Sequence, residues 1–229
     1  MKENLGINAR FFHNEQSVRV VKVIEQNGAG LNLTSEVIDG IKNHTGENVP
    51  ATLEGRIVRI SDKIAYTNHD IDDAVRAGIF SLKDLPQKDL EVLGLTHRNR
   101  INTIVLDIIE NSTDKNDIVI SEKIKTSLYG LRSFLFKNLY LRNPVKIEER
   151  KTEKILKELF LFYLNNFKVF IKDYNLKTNI NYDRETNFNT FDFEKKVILI
   201  CDYIASMTDR FALNKFTELF IPEKWEIIK

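Results

Sequence analysis

Apolar residues recur at intervals of three and four along most of the chain, the spacing that places them on one side of an α-helix. Glycine and proline are scarce, with 9 Gly and 4 Pro in 229 residues, so the chain lacks the turn residues that would separate many short strands. The pattern therefore predicts an all-α fold. The predicted helices cover residues 14–26, 35–44, 52–77, 98–112, 120–141, 146–173 and 193–219.

The character of the chain changes near residue 145, where the charged segment 146–158 leads into the aromatic run FLFYLNNFKVF. We expect a helix with one apolar side there and a division into two domains, residues 1–144 and 145–229. The polar stretch 175–189 is poor in helix formers and predicts a loop between the last two long helices.

The segment 52–77 carries the most informative polar pattern. Projected at ~100° per residue, its apolar side chains lie opposite Asp62 and predict a core-facing stripe: Leu53, Ile57, Ile60, Ile64, Ile71 and Val75. A polar strip extends from the Asp62 direction, and it consists of Asp62, Arg59, Tyr66, His69, Asp70 and Asp73.

Aspartate recurs in this strip in the middle of the helix, although aspartate is a poor helix former. The loss of helix stability that this entails suggests that the aspartates have a function. Val58 and Ala65 flank the strip and predict that it lies partly under other structure. A half-buried carboxylate cluster attracts a cation, so a metal or polar-ligand site is one interpretation. The solvated side of an ordinary amphipathic helix is the alternative.

Several longer motifs carry a resemblance: HNEQSVRVV at 13–21, GLNLTSEVIDGIKNHTG at 30–46, PATLEGRIVRISDKIAYTNHDIDDAVRAG at 50–78 and MTDRFA at 207–212. Together they closely resemble the deoxyguanosinetriphosphate triphosphohydrolases, the dGTPase-like branch of the HD-domain superfamily. The resemblance implies an HD-domain-like helical hydrolase that depends on a divalent metal such as Mg²⁺ or Mn²⁺. Its implied reaction cleaves a deoxynucleoside triphosphate (dNTP) at the α-phosphorus, giving deoxynucleoside and tripolyphosphate.

The resemblance also implies site residues. Asp62 matches an aspartate that binds the metal, and Lys63 matches a position that contacts phosphate. Tyr66 and Asp70 match residues that hold the sugar and recognise its 3′-hydroxyl. His13 matches a histidine that faces the phosphates, and we take it as the catalytic candidate.

One part of the family's metal site has no counterpart in this sequence. The family adds a histidine and an adjacent His-Asp pair, both upstream of the HNEQS motif, where this sequence begins. His69-Asp70 follows Asp62 on the same helix, so we do not interpret it as that pair. We therefore expect the C-terminal part of such an enzyme, without the family's N-terminal helices and inactive or nearly inactive alone. We also expect this chain to form a homo-oligomer or to assemble with a separate N-terminal half of the enzyme.

Other functions stay open at this stage. A non-catalytic nucleotide-binding, regulatory or oligomerisation module is the main alternative, and single-stranded nucleic-acid binding is a weaker one because the net charge is only +1. We expect a cytoplasmic protein without membrane spans, since Cys201 is the one cysteine and apolar runs are far shorter than about 20 residues.

The remaining candidates are predicted mainly as structural residues. We expect His44 at a helix end, His97 in solvent, Cys201 as a core thiol and Arg132 on a core helix with phosphate contact as the alternative. Phosphate contact is also open for Arg98 and Arg100. Helix packing and substrate contact both explain Asp202, Tyr203 and Arg210.

Overall fold

A computed structural model describes residues 11–178 and 191–222 of the chain. Every regular element in these ranges is helical and no strand occurs in them, which confirms the all-α prediction. The described residues form two compact units, 11–146 and 147–222. Each unit has its own hydrophobic core.

The first unit contains six α-helices: α1 His13–Arg19, α2 Ser35–Asn43, α3 Leu53–Arg76, α4 Gln87–Leu93, α5 His97–Ser112 and α6 Glu122–Leu135. Helices α1 and α6 each continue into a π-helical turn, Val20–Ile24 and Phe136–Tyr140 respectively. Helix α4 was not predicted because its seven residues are too few to show a helical period.

Hydroxyl side chains fix where four of these helices begin. The side-chain oxygens of Thr34, Thr52, Thr96 and Ser121 each accept a hydrogen bond from the backbone N–H three residues later. This contact satisfies a donor that the first turn of a helix leaves unpaired. The predicted starts of these helices lie within two residues of the observed ones.

Helix α3 is central to the first unit, because α2, α5 and α6 all pack against it. Glycines allow α2 to approach closely: a Cβ on Gly55 would lie 3.2 Å from the Cα of Gly40 and 2.6 Å from the Cβ of Pro50. The unit's core contains fully buried Ile71, Leu93 and other aliphatic residues. One side of α3 is thus held in place by apolar contacts, and its polar sides face α5 and α6.

The predicted apolar stripe on α3 is confirmed in part. Ile64 and Ile71 are buried, but Ile57 is 47% exposed, so the prediction is wrong at that turn, which no described element covers. Val58 and Ala65 are also exposed, but Tyr66 and Asp70 of the polar strip are half-buried, so the prediction that the strip lies partly under other structure is confirmed for these two residues.

The second unit is built from the helices α7 Asn143–Asn165, α8 Phe167–Thr178, α9 Phe193–Ala205 and α10 Asp209–Phe220. Each of the two long predicted helices is therefore divided, at Asn166 and between Ser206 and Thr208. The Thr208 side chain caps α10 by accepting from the Phe211 N–H. Of the predicted loop at 175–189, residues 175–178 belong to α8, and the rest lies outside the described residues.

An aromatic cluster forms the core of the second unit. The Tyr163 hydroxyl donates to Asp173 at 2.9 Å, and the Lys215 ammonium lies 3.3 Å from the same carboxylate. The Tyr203 ring is buried against Tyr163 at 5.6 Å, which favours its packing role. Cys201 is exposed, so its prediction as a core thiol is wrong. None of the described helices is long and apolar enough to cross a membrane.

Candidate nucleotide site

Two neighbouring cavities lie between α3 and α6. The larger has a volume of about 330 Å³ and lies beside Tyr66 and Tyr140. The smaller, about 250 Å³, lies beside Lys63. Tyr129 and Arg132 line both, so the two cavities are adjacent, and we call them together the α3–α6 site.

Asp70 and Tyr140 meet at one end of the α3–α6 site. The Tyr140 hydroxyl donates a hydrogen bond to the Asp70 carboxylate. Burial, followed by this hydrogen bond, raises the pKa of Tyr140, so the hydroxyl stays protonated and remains a donor at neutral pH. Burial also raises the pKa of Tyr66. The larger cavity is therefore lined by two neutral phenols, one of which holds the Asp70 carboxylate beside it.

Two cations also line the α3–α6 site, Lys63 in the smaller cavity and Arg132 in both. The Arg132 guanidinium is 5.4 Å from the centre of the Tyr66 ring and 5.7 Å from that of Tyr129, so ring faces hold its position. Burial, and then the charges of Arg59 and Arg132, lower the pKa of Lys63. Neither Lys63 nor Arg132 has an ion-pair partner within the described chain. Their charges are therefore available to an anionic ligand.

Arg59, which the sequence placed in the polar strip, has a structural role. Its guanidinium donates to the backbone carbonyls of Asn43, at 2.9 Å, Gly46, at 2.6 Å, and Asn48. These contacts fix the segment between α2 and α3. The donors that Arg59 could offer a ligand are thus largely occupied.

Asp62 is exposed on α3 and makes no hydrogen bond or ion pair with the described residues. No group of three or more His, Cys, Asp or Glu side chains that could hold a metal ion occurs among those residues. Asp73 pairs with Arg76 at 3.2 Å on the surface, and His69 is exposed. The described side chains alone therefore do not fit a divalent-metal site, for which they offer the single carboxylate of Asp62.

His13 lies apart from the α3–α6 site. It is the first residue of α1, exposed, and its ring contacts that of His44 edge to face at 5.2 Å. The neighbouring Asn14 side chain donates to the Lys42 carbonyl at 2.6 Å and ties α1 to α2. His44 follows the last residue of α2, as predicted, with Nδ1 2.7 Å from the Ile41 carbonyl.

The α5 side of α3 carries a second polar cluster. His97 Nδ1 lies 2.6 Å from the Asp72 carboxylate, and Arg100 lies 3.2 Å from it. Arg100 also donates to the Asn68 side chain at 2.7 Å and the Leu95 carbonyl at 3.1 Å. The expectation that His97 is solvated is wrong here, and the burial of Arg100 argues against the phosphate contact that was left open for it.

Sequence reasoning missed Tyr140, which is 70 residues from Asp70 in the chain. One signal could have found it, because Arg132, Phe136 and Tyr140 are spaced four apart and so lie on one side of a helix. The π-helical turn at Phe136–Tyr140 extends α6 far enough for Tyr140 to reach Asp70. Among the predicted site residues, the structure thus brings together Lys63, Tyr66 and Asp70.

Comparison with known proteins supports the family. Residues 118–218 match the phosphohydrolase-associated domain. Three deoxyguanosinetriphosphate triphosphohydrolase-like proteins are similar to this chain. Those of Caldanaerobacter subterraneus subsp. tengcongensis and Clostridium perfringens are each 43% identical to it, and that of Geobacter sulfurreducens is 30% identical. These alignments cover 94%, 93% and 93% of this chain and 60%, 61% and 65% of the respective relatives.

The chain thus spans about three fifths of the length of the first two relatives, while nearly all of it takes part in the alignments. The resemblance in the motifs around Asp62 is therefore part of a similarity that extends along the chain. The chain is therefore similar over nearly its whole length to deoxyguanosinetriphosphate triphosphohydrolase-like proteins, as the motifs predicted.

Proposed function

We propose that the α3–α6 site holds a deoxynucleoside triphosphate and that this chain supplies the nucleotide-binding wall of a dNTP triphosphohydrolase. One observation carries the proposal. Two cations without ion-pair partners, Lys63 and Arg132, line the α3–α6 site together with Tyr66 and Tyr140, and the Tyr140 hydroxyl contacts Asp70. The charges suit a triphosphate, and the phenols and carboxylate suit a sugar.

The order of these groups gives the ligand a direction. Lys63 and Lys125 line the smaller cavity, Tyr129 and Arg132 line both cavities, and Tyr66 lines the larger one together with Tyr140, which contacts Asp70. The triphosphate would lie at the Lys63 end and the sugar against Tyr66. The 3′-hydroxyl would donate to Asp70, whose carboxylate can accept it beside the Tyr140 hydroxyl because a carboxylate has about four acceptor positions.

The proposed reaction is hydrolysis at the α-phosphorus. A water oxygen bonds to phosphorus, the bond from phosphorus to the 5′-oxygen breaks, and the 5′-oxygen takes up a proton. Lys63 and Arg132 would stabilise the negative charge on the phosphates. The family resemblance implies a divalent metal, but the described residues match one ligand, Asp62, so we assign this chain binding and charge stabilisation and place no step on the metal.

His13 stays a proposal as the phosphate-facing catalytic residue. Its ring is exposed and supported on one edge by His44, which leaves the rest of the ring accessible. It lines neither cavity of the α3–α6 site, so its role would require phosphates that extend beyond Lys63.

Calorimetric binding of dGTP and tripolyphosphate to the whole chain tests the proposal. Lys63→Ala should weaken both ligands, whereas Asp70→Asn should weaken dGTP and leave tripolyphosphate unchanged. Lys115→Ala, at an exposed turn lysine, is the matched control. Absence of dGTP binding, or equal binding by all variants, would refute the assignment.

An assay of dGTP hydrolysis with Mn²⁺ distinguishes the catalytic hypothesis from the regulatory one. We expect little tripolyphosphate release from this chain alone. Strong release that Asp62→Asn abolishes would show that the chain completes a metal site itself. A rise in melting temperature with dNTP and no turnover would favour the nucleotide-binding or regulatory module, because a ligand that binds the folded state stabilises it.

A further inference from the structure

Phe136 is an aromatic side chain that the core of the first unit does not use. It begins the π-helical turn after α6 and is 58% exposed, although it lines the larger cavity of the α3–α6 site. Phe134, two residues earlier, instead packs into the core against Phe80, with ring centres 5.3 Å apart. The exposed ring therefore needs an explanation other than packing.

The position of Phe136 relates it to the sugar end of the site. It lies one turn after Arg132 and four residues before Tyr140, whose ring centre is 6.5 Å away. Tyr129, the other strongly exposed aromatic of this wall, lines both cavities and has the Arg132 guanidinium near its face, whereas Phe136 lines only the larger cavity, beside Tyr66 and Tyr140. A ligand whose sugar contacts Tyr66 and Asp70 would thus place its base nearer Phe136 than Tyr129.

We infer that the exposed ring of Phe136 is the stacking platform for the base of the bound nucleotide, so that the site reads the face of the base and accepts more than one dNTP. This inference rests on the proposed function. Every base has an aromatic face, so stacking tolerates changes of base. The polar side chains in the same wall, Ser133 and Lys137, are few and exposed, which favours a modest preference among bases.

The test compares ligands with and without a base. Binding of dGTP, dATP, dCTP, dTTP and 2-deoxyribose 5-triphosphate, which lacks a base, is measured by calorimetry on the whole chain. Phe136→Ala should weaken all four dNTPs by about 5- to 100-fold, the range that stacking of one base provides. The base-free triphosphate should bind both proteins alike. The wild-type affinities for the four dNTPs should lie within about tenfold of one another.

Two further variants control for effects on folding. Phe136→Leu keeps an apolar side chain but removes the ring, and it should lose affinity as Phe136→Ala does, while Phe136→Trp should retain it. Phe193→Ala removes a similarly exposed ring, 50% exposed, from the second unit and should leave all five affinities unchanged.

The outcomes distinguish this inference from the function on which it rests. If Phe136→Ala leaves dNTP binding unchanged, or weakens the base-free triphosphate equally, the stacking role is wrong. A loss of dNTP affinity in Lys63→Ala would still support the nucleotide site in that case. A wild-type preference for one base above a hundredfold would also overturn it. If none of the triphosphates binds the wild-type chain, both proposals fall.

Discussion

Helix α3 has two polar sides whose residues are similar in type and different in use. On the side facing α5, Asn68 and Asp72 are bonded to Arg100, and Asp72 also to His97. On the side facing α6, Lys63 and Tyr66 line cavities. An arginine comes from the partner helix in both cases, but Arg100 bonds to a carboxylate and an amide, whereas Arg132 lies over aromatic rings. The partner helix thus decides whether a polar residue stabilises the fold or remains available to a ligand.

The largest expected effect is a loss of stability when the polar cluster on the α5 side of α3 is disrupted. Arg100→Met should lower the free energy of unfolding by about 3 kcal/mol, because it removes one of the two partners of Asp72 and leaves the buried Asn68 oxygen without its donor. Urea unfolding measures it, with the exposed neighbour Arg98→Met as control, expected within about 0.5 kcal/mol. A loss below about 1 kcal/mol for Arg100→Met would mean that the paired cluster does little for the fold.

The second test is a loss of affinity on the α6 side. Arg132→Ala should weaken dNTP binding by about 2 kcal/mol, the value of a hydrogen bond to a charged group. Stability should change by less than about 0.5–1 kcal/mol, the typical worth of an exposed cation–π contact. Calorimetry and urea unfolding on the same protein measure the two effects. Arg132→Lys should restore affinity only in part, since an ammonium stacks less well on the Tyr66 and Tyr129 rings.

The comparison also shows which features could be predicted from the sequence. The period of α3 identified its polar side and the buried Ile64 and Ile71, because local spacing fixes which residues share a side. The period could not say that α5 brings Arg100 to Asp72 or that Tyr140 contacts Asp70, since these contacts join residues 28 and 70 positions apart. Motif resemblance proposed Lys63, Tyr66 and Asp70 as site candidates, but it did not propose Phe136, whose exposure depends on the tertiary packing of α6.

The divided helices of the second unit show a similar limit. Apolar spacing continues on both sides of Asn166, so the sequence predicted one helix over 146–173. The Asn166 side chain donates to the Phe162 carbonyl at 2.9 Å, which competes with helical bonding and accompanies the end of α7. The break before α10 carried a readable signal, because Thr208 followed by an acidic residue is typical of a helix start.

A smaller effect is expected at the contact between Tyr140 and Asp70. Tyr140→Phe should lower the free energy of unfolding by about 1 kcal/mol, since both groups are half-exposed and water replaces much of the lost hydrogen bond. Urea unfolding against Tyr129→Phe, which removes an exposed hydroxyl, measures it. A loss as large as that of Arg100→Met would contradict the comparison, because the α6 side would then also be a structural cluster.

The effect that is smallest near neutral pH is a pH dependence of ligand binding on the α6 side. Burial lowers the pKa of Lys63 below 10.5, so the ligand-free chain loses this proton at a lower pH than an ordinary lysine. A bound polyphosphate favours the charged amine, so tripolyphosphate affinity should fall as pH rises through that lowered pKa, by at most tenfold per pH unit. The contribution of Lys63 to stability changes in the opposite direction, because the unfolded chain keeps the proton to higher pH.

Calorimetry of tripolyphosphate binding from pH 7 to about pH 10 measures this dependence. Lys63→Arg provides the matched control, because its guanidinium stays charged over this range. The titration of the ligand itself affects both proteins equally. The difference between the two proteins should therefore grow with pH. Burial also lowers the pKa of Arg100, yet an arginine keeps its charge throughout this range, so the α5 side should add no such dependence. Parallel pH profiles for the wild type and Lys63→Arg would place the phosphates away from Lys63, and the α3–α6 site would then lose the cation that gives its ligand a direction.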